Sequence, residues 1–293
     1  IHGFVYVADW GNHCVKKYSA DGSYIERFGS LGDNDGQFKN PSSVAVDSDG
    51  YIYVADWGNE RLQILDSEGR FISKFRGQAT ISKWGQEYLD GNYEEAEPRS
   101  RSNLEPSIDL FGGDPHEESA HIEKYFWGPT SVKLDQNDNV FVADWRNDRI
   151  QKFTNEGEFL LSFGSYGNNN SQLNLPWGIT IHSDDRLYVS DWGNHKLKVY
   201  DKEGVFLCSN RGEASLSEWA KDFLNTNVEE KEARLKAKLV FELDSFENDP
   251  FHESSHIEKL FWCPTSLTFH KGNLLIVDSS RHRIQVYNKV YKI

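Results

Sequence analysis

The 293-residue chain is 38% hydrophobic with a formal net charge of −14, enough apolar material for one large domain or two small ones. That charge repels phosphate backbones and argues against nucleic-acid partners, and no apolar run is long enough to span a membrane. Three irregularly spaced cysteines, Cys14, Cys208 and Cys263, give no disulfide framework, so the compartment stays open.

Residues 5–13, V-Y-V-A-D-W-G-N-H, run an alternating apolar stretch into a turn rich in Asp, Gly and Asn, the signature of a short strand entering a tight turn. The unit at 41–75 shows the whole pattern. Strands are predicted at 43–47, 51–55, 61–65 and 70–75, separated by the turns Ser48-Asp49-Gly50, Asp56-Trp57-Gly58-Asn59 and Asp66-Ser67-Glu68-Gly69. V-A-D-W-R-N-D at 142–148 and V-S-D-W-G-N-H at 189–195 repeat the second of these turns, and V-D-S-S-R-H at 277–282 is a degenerate copy. A proline opens the first strand of four units, at Pro41, Pro129, Pro176 and Pro264. Antiparallel four-stranded meanders recurring along a chain are the blades of a β-propeller.

The pattern P-x-x-V-x-V-D-x-x-G-x-I-Y-V-A-D-x-G-N-x-R-I-Q-x-(F/Y) resembles the NHL repeat, over all five units and nearly everything outside two insertions. The resemblance implies an all-β, NHL-type propeller, usually six-bladed. The five visible blades, the first lacking its opening strand, are then read as one domain over 1–293, part of a six-bladed ring truncated at the N-terminus. A start at Ile1 and the absence of Met fit that reading. A five-bladed ring closed by residues 290–293 is the alternative. The resemblance also implies a binding platform or, less often, an enzyme.

Naming the strands of a blade a to d, meander topology puts the b–c turns and the d–a connections on one face. The Asp-Trp-Gly-Asn turns are b–c turns, and the two insertions, 78–126 and 213–261, are d–a connections, so they are expected to share that face. Trp10, Trp57, Trp145 and Trp192 stand in the turns and Trp177 begins a strand a, which makes these five the candidate ligand-binding residues of an aromatic face. The Asp of each turn is expected to accept backbone N–H groups within its own turn, and the residue after the turn (His13, Glu60, Asp148, His195, His282) to be an exposed turn residue, the alternative being a ring of His and carboxylates that binds a cation.

The insertions carry net charges of −7 and −6, nearly all of the −14. A period of 135 residues relates them, taking Trp57 to Trp192, Trp84 to Trp219, Asp114 to Asp249 and Pro129 to Pro264. Apolar spacing at Leu216, Trp219, Phe223 and Leu224 and at Ile81, Trp84, Tyr88 and Leu89 predicts mainly helical segments, and Asp-Pro opens a last helix expected to run to Phe126 or Phe261.

Residues 252–256 match H-E-x-x-H, a zinc-protease pattern. The parallel insertion has Glu117 in place of His252, so only one of two copies would carry zinc catalysis, which argues against a protease. What the copies share is Glu118 with His121 and Glu253 with His256. Three residues apart, each pair can meet on a helical face, to dock the helix or to hold zinc or calcium. Propellers similar to this family include peptide-amidating lyases and gluconolactonase-like hydrolases, whose metal ligands surround the central channel. The residues after the blade prolines here are Ser42, Thr130, Trp177 and Thr265, none a His or carboxylate. The sequence therefore favours a non-catalytic scaffold for a protein, peptide or glycan, with no cofactor expected. A metal-dependent lyase or hydrolase is the alternative.

Overall fold

The structure, a computed structural model, describes residues 3–77, 125–212, 225–229, 232, 254 and 260–287. It is all-β and divides into two compact units, Ile1–Tyr166 and Gly167–Ile293. The first unit holds three blades. Blade 1 is β1 (Phe4–Asp9), β2 (Cys14–Ser19) and β3 (Tyr24–Phe28). Blade 2 is β4 (Pro41–Val46), β5 (Ile52–Asp56), β6 (Arg61–Leu65) and β7 (Phe71–Phe75). Blade 3 is β8 (Pro129–Leu134), β9 (Val140–Asp144), β10 (Arg149–Phe153) and β11 (Phe159–Phe163). The second unit holds blade 4, β12 (Pro176–Ile181), β13 (Leu187–Asp191), β14 (Lys196–Tyr200) and β15 (Phe206–Asn210), and blade 5, β16 (Pro264–His270), β17 (Asn273–Asp278) and β18 (Arg283–Tyr287). Each blade is an antiparallel meander with strands in chain order. These are five blades of a β-propeller.

Short acidic turns set the hairpins. The Asp47 carboxylate accepts the backbone N–H groups of Asp49 and Tyr51 at 3.0 and 2.8 Å, Asp66 does the same in a later turn of that blade, and Asp135 and Asp201 do so in blades 3 and 4. An Asp side chain that mimics a turn's own backbone bonds fixes where the strand reverses, and hence its register. The first and second strands slip register just after the opening proline in blades 2 to 5, as between Pro41 and Ser43 or Pro129 and Ser131. Proline has no N–H to give the ladder, so the irregularity falls where the ladder would lose a bond anyway.

Strands b and c are buried along their whole length in blades 2 and 3, including polar Gln63, Gln151 and Lys152. Those of blade 2 lie between blades 1 and 3, so both faces need apolar cover. Tyr53, Leu62 and Ile64 of blade 2 pack with Val132, Val140, Val142 and Phe153 of blade 3, and Val15 and Phe28 of blade 1 pack with Ile52, Val54 and Leu65. In the second unit Tyr188, Leu197 and Val199 meet Leu267, Leu274 and Ile276.

The third residue before each blade proline is a buried plug: Phe38, Phe126, Leu173 and Phe261 are each 0% exposed. The expected helices running to Phe126 and Phe261 therefore need correction, because both residues have non-helical backbone. The blade pins them in extended form. Asn147 Nδ2 and Arg149 donate to the Tyr125 carbonyl at 2.9 and 3.0 Å, and Arg283 donates to the Leu260 carbonyl at 2.9 Å. The Phe126 N–H meets the Arg76 carbonyl at 2.5 Å and the Phe261 N–H meets the Arg211 carbonyl at 2.6 Å, so each insertion leaves and returns at one hydrogen-bonded base. Most of both insertions lies outside the described residues. No described helix is long and apolar enough to cross a membrane.

Candidate recognition face

The b–c turns share one local structure. Asp-Trp-Gly-Asn makes a single 3₁₀ turn, and the next residue closes it in the left-handed region: His13, Glu60, Asp148, His195 and His282 have φ of 51–54°. Left-handed backbone is uncommon for a residue with a side chain, so five such residues at one position indicate a shared constraint.

For three of them that constraint is a contact between blades. The His13 Nδ1 accepts the N–H of Asn40 at 3.0 Å, and the His195 Nδ1 accepts the N–H of Cys263 at 2.9 Å. The Glu60 carboxylate accepts the N–H of Gly128. In each case the donor directly precedes a blade proline and is itself left-handed, with φ of 55° at Asn40, 74° at Gly128 and 57° at Cys263. The expectation of exposed turn residues fails at Glu60, 0% exposed, and His195, 1% exposed, and holds at His282, which is exposed. A ring nitrogen that accepts a hydrogen bond requires neutral imidazole, and a carboxylate does the same work without that condition. The acceptor, and not the residue type, is what the position needs.

The turn Asp also reaches further than expected. Only Asp9 accepts from its own turn's backbone, at the N–H of Asn12. Asp56, Asp144, Asp191 and Asp278, all 0% exposed, each accept instead a backbone N–H two residues before the blade's proline, from Lys39, Trp127, Asn174 and Trp262, at 2.7 Å in every case. The other carboxylate oxygen collects the conserved-in-place donors of strand c: Arg61 Nε and Gln63 Nε2 at 2.8 and 3.1 Å, Arg149 Nε and Gln151 Nε2 at 2.7 and 2.8 Å, Arg283 Nε and Gln285 Nε2 at 2.8 and 3.0 Å. In blade 4 the Lys198 ammonium fills that place, 3.1 Å from Asp191. Burial pushes the Asp56 and Asp191 carboxyls up, against the pull of their donors, whereas the Lys16 ammonium beside the open Asp9 holds that carboxyl down. The hub knits strand b, strand c and the entering loop into one buried network, and it is structural chemistry.

With Asp, Asn and the closing residue committed to the fold, the indoles remain. In the first unit they form a row. Trp10, 42% exposed, stacks at a tilt on Trp57 with ring centroids 5.0 Å apart. Trp57 and Trp145 flank Gly128, where an added Cβ would lie 3.2 Å from one indole and 3.1 Å from the other. The Arg146 guanidinium lies over both Trp145 and Trp127, at 5.2 and 5.3 Å. The row thus crosses three blades and ends on a cation. In the second unit Trp192 and Trp177 are half-buried, and Arg281 lies 5.7 Å over Trp262.

The candidate metal residues Glu118, His121, Glu253 and His256 lie outside the described residues. Within the H-E-x-x-H stretch Ser254 is described: it is buried, and its carbonyl accepts from Arg281 at 2.5 Å. The described residues contain no group of three or more metal-binding side chains.

The NHL repeat profile matches residues 38–65, 126–153, 173–200 and 261–287, each running from the plug residue to the end of strand c in blades 2 to 5. Over 55 residues the chain is 40% identical to the protein brain tumor of Drosophila melanogaster, a match that takes in 19% of this chain and 5% of that protein. Among solved structures, a protein of unknown function from Bacteroides thetaiotaomicron superposes with a TM-score of 0.54 at 16% identity, covering 97% of this chain and 56% of that one. A catalytically inactive virginiamycin B lyase from Staphylococcus aureus with quinupristin gives 0.50 at 12% identity, covering 99% and 68%. At such identities the likeness is one of fold. The chain thus carries four NHL repeats on four blades of a β-propeller.

Proposed function

We propose that the chain is a non-catalytic binding scaffold whose ligand, a protein, peptide or glycan, sits on the tryptophan-bearing face. The observation that carries this reading is the row Trp10–Trp57–Gly128–Trp145 with Arg146 at its end. The polar side chains around it hold blades together, which leaves large rigid rings and one guanidinium as the surface chemistry. Rings of this kind give contact area at low entropic cost and stack on sugar faces or peptide side chains. The acidic insertions, expected on the same face, would favour cationic ligands over nucleic acid. Trp192 and Trp177 would serve the same role on the second unit.

The test is a titration of the intact chain with an oligosaccharide panel and an immobilised peptide library, read by indole Nε1–H shifts. Ligands recovered with the parent chain should be lost with Trp10→Ala/Trp57→Ala. Unchanged binding by that double variant would sink the proposed face. The second reading, a metal-dependent lyase or hydrolase, rests on Glu118, His121, Glu253 and His256. It requires stoichiometric zinc or calcium in the purified protein, lost on His256→Ala.

A further inference from the structure

In the second unit one b–c turn keeps the geometry of the others and loses the indole. The Ser279 N–H donates to the Cys263 carbonyl at 3.3 Å, as the Trp145 N–H does to the Gly128 carbonyl. The Ser280 N–H donates to the Trp262 carbonyl at 3.1 Å, as Arg146 does to Trp127 at 3.0 Å. Both turns are single 3₁₀ turns closed by a left-handed residue, His282 in one and Asp148 in the other. A serine thus stands on the backbone that carries a tryptophan in blades 1 to 4.

The residue beside the turn changes with it. In the first unit Gly128 lies between Trp57 and Trp145, and a Cβ there would meet both rings. In the second unit Cys263 holds the matching place, with a left-handed φ of 57°, and its N–H is held by His195 of blade 4. Its side chain is therefore aimed between Trp192 and Ser279. A thiol fills less room than an indole, so among the described residues a notch is left beside Trp192. The far side of the notch is polar and uncharged. The Thr265 and Ser279 hydroxyls lie 2.6 Å apart, and Ser280 follows in the same turn. Trp192, Thr265, Ser279 and Ser280 are all half-buried. Trp177 precedes Gly178, which packs directly against the Thr265 carbonyl, so a second indole is borne on the strand next to this rim.

We propose that this notch binds one ring of a neutral glycan, with the pyranose face on the Trp192 indole and the sugar hydroxyls bonded to Thr265, Ser279 and Ser280. The proposal rests on the reading of the tryptophan-bearing face as a binding face and narrows its ligand, in the second unit, to sugar. The C–H groups on one face of a pyranose carry partial positive charge and stack on the electron-rich face of an indole. A side-chain hydroxyl donates and accepts, so it matches a sugar hydroxyl in either sense. A charged ligand group would find no counter-charge among Trp192, Cys263, Thr265, Ser279 and Ser280, and its desolvation would go uncompensated.

The experiment titrates the intact chain with cellotetraose, chitotriose and mannotriose, following the indole Nε1–H resonances of Trp10, Trp57 and Trp192 together with the heat of binding. At least one sugar should shift Trp192 saturably, with a dissociation constant of about 1 mM. Cys263→Gly/Ser279→Trp rebuilds the Trp57–Gly128–Trp145 arrangement, so it should fold, and by closing the notch it should weaken binding about tenfold or more. Thr265→Val keeps the side-chain shape and should weaken binding several-fold. The proposal is overturned if no sugar shifts Trp192, if only peptides shift it, or if the double variant binds as tightly as the parent. Shifts at Trp10 and Trp57 without Trp192 would overturn the notch and leave the row of the first unit standing. Shifts at none of the three would count against both.

Discussion

At the scale of the residue, the turn aspartates decide more than their own turns. Asp144 is 0% exposed and holds the Trp127 N–H, Asn147, Arg149 and Gln151 at once. Removing it leaves a buried guanidinium and a buried N–H without their acceptor. Asp144→Ala should therefore cost about 3–5 kcal/mol, measured by urea unfolding. The closing residue allows a sharper test. His195→Glu should fold with stability near the parent, because Glu60 performs the same task one blade pair earlier. His195→Ala should lose about 1–3 kcal/mol, since the Cys263 N–H then goes unsatisfied in a buried place. Equal losses in both variants would mean that the imidazole ring's packing, and not its acceptor, holds the two blades. Neither network could be read from sequence. The partners of the Asp are backbone N–H groups 16 or 17 residues upstream, borne by Lys39, Trp127, Asn174 and Trp262, whose side chains share nothing. The latch partners lie 27 residues away in one case and 68 in two, the longer span being the insertion. The available signal was the alternation of His and Glu at one position, both short acceptors.

At the scale of the element, the strands were legible because alternation and Asp/Gly turns recur in every blade. The observed Pro41–Val46, Ile52–Asp56, Arg61–Leu65 and Phe71–Phe75 fall within a residue or two of their predicted spans. The helices expected at the insertion ends were run too far, since Phe126 and Phe261 fit the helical spacing of Ile122 and Ile257 but serve as blade plugs with non-helical backbone. The row of Trp10, Trp57 and Trp145 was not legible, because Gly128 is what lets Trp57 and Trp145 approach. Gly128 has a φ of 74°, so Gly128→Ala adds backbone strain to a crowded Cβ. It should lower stability by about 1–2 kcal/mol and shift the tryptophan emission spectrum, while Gly11→Ala, where nothing lies within 4 Å, should leave the spectrum unchanged.

At the scale of the whole molecule, charge and fold are carried by different parts of the chain. The segment 78–124 holds seven net negative charges, yet the residues that bracket it are joined by the Phe126 N–H and the Arg76 carbonyl at 2.5 Å. The plug Phe126 packs against Phe75 and Phe153, at centroid distances of 6.1 and 5.6 Å, on the blade side of that bond. The apolar cluster joining blades 2 and 3 is thus assembled from described residues outside the segment. Blade 4 is entered by the short connection 164–175, which ends in the equivalent plug Leu173 and presents the equivalent N–H, on Asn174, to Asp191. A connection of that length therefore suffices to enter a blade. Loop-closure entropy changes slowly with length, so exchanging a long connection for a short one between fixed ends is thermodynamically mild. Replacing 78–124 with about six glycines and serines, which matches the length of 164–175, should give a folded chain whose urea midpoint stays close to the parent's. Its net charge halves, so it should elute markedly earlier from an anion exchanger. Loss of cooperative unfolding in that variant would show that the acidic segment, and not the plug and the Asp144 hub, joins blade 3 to blade 2.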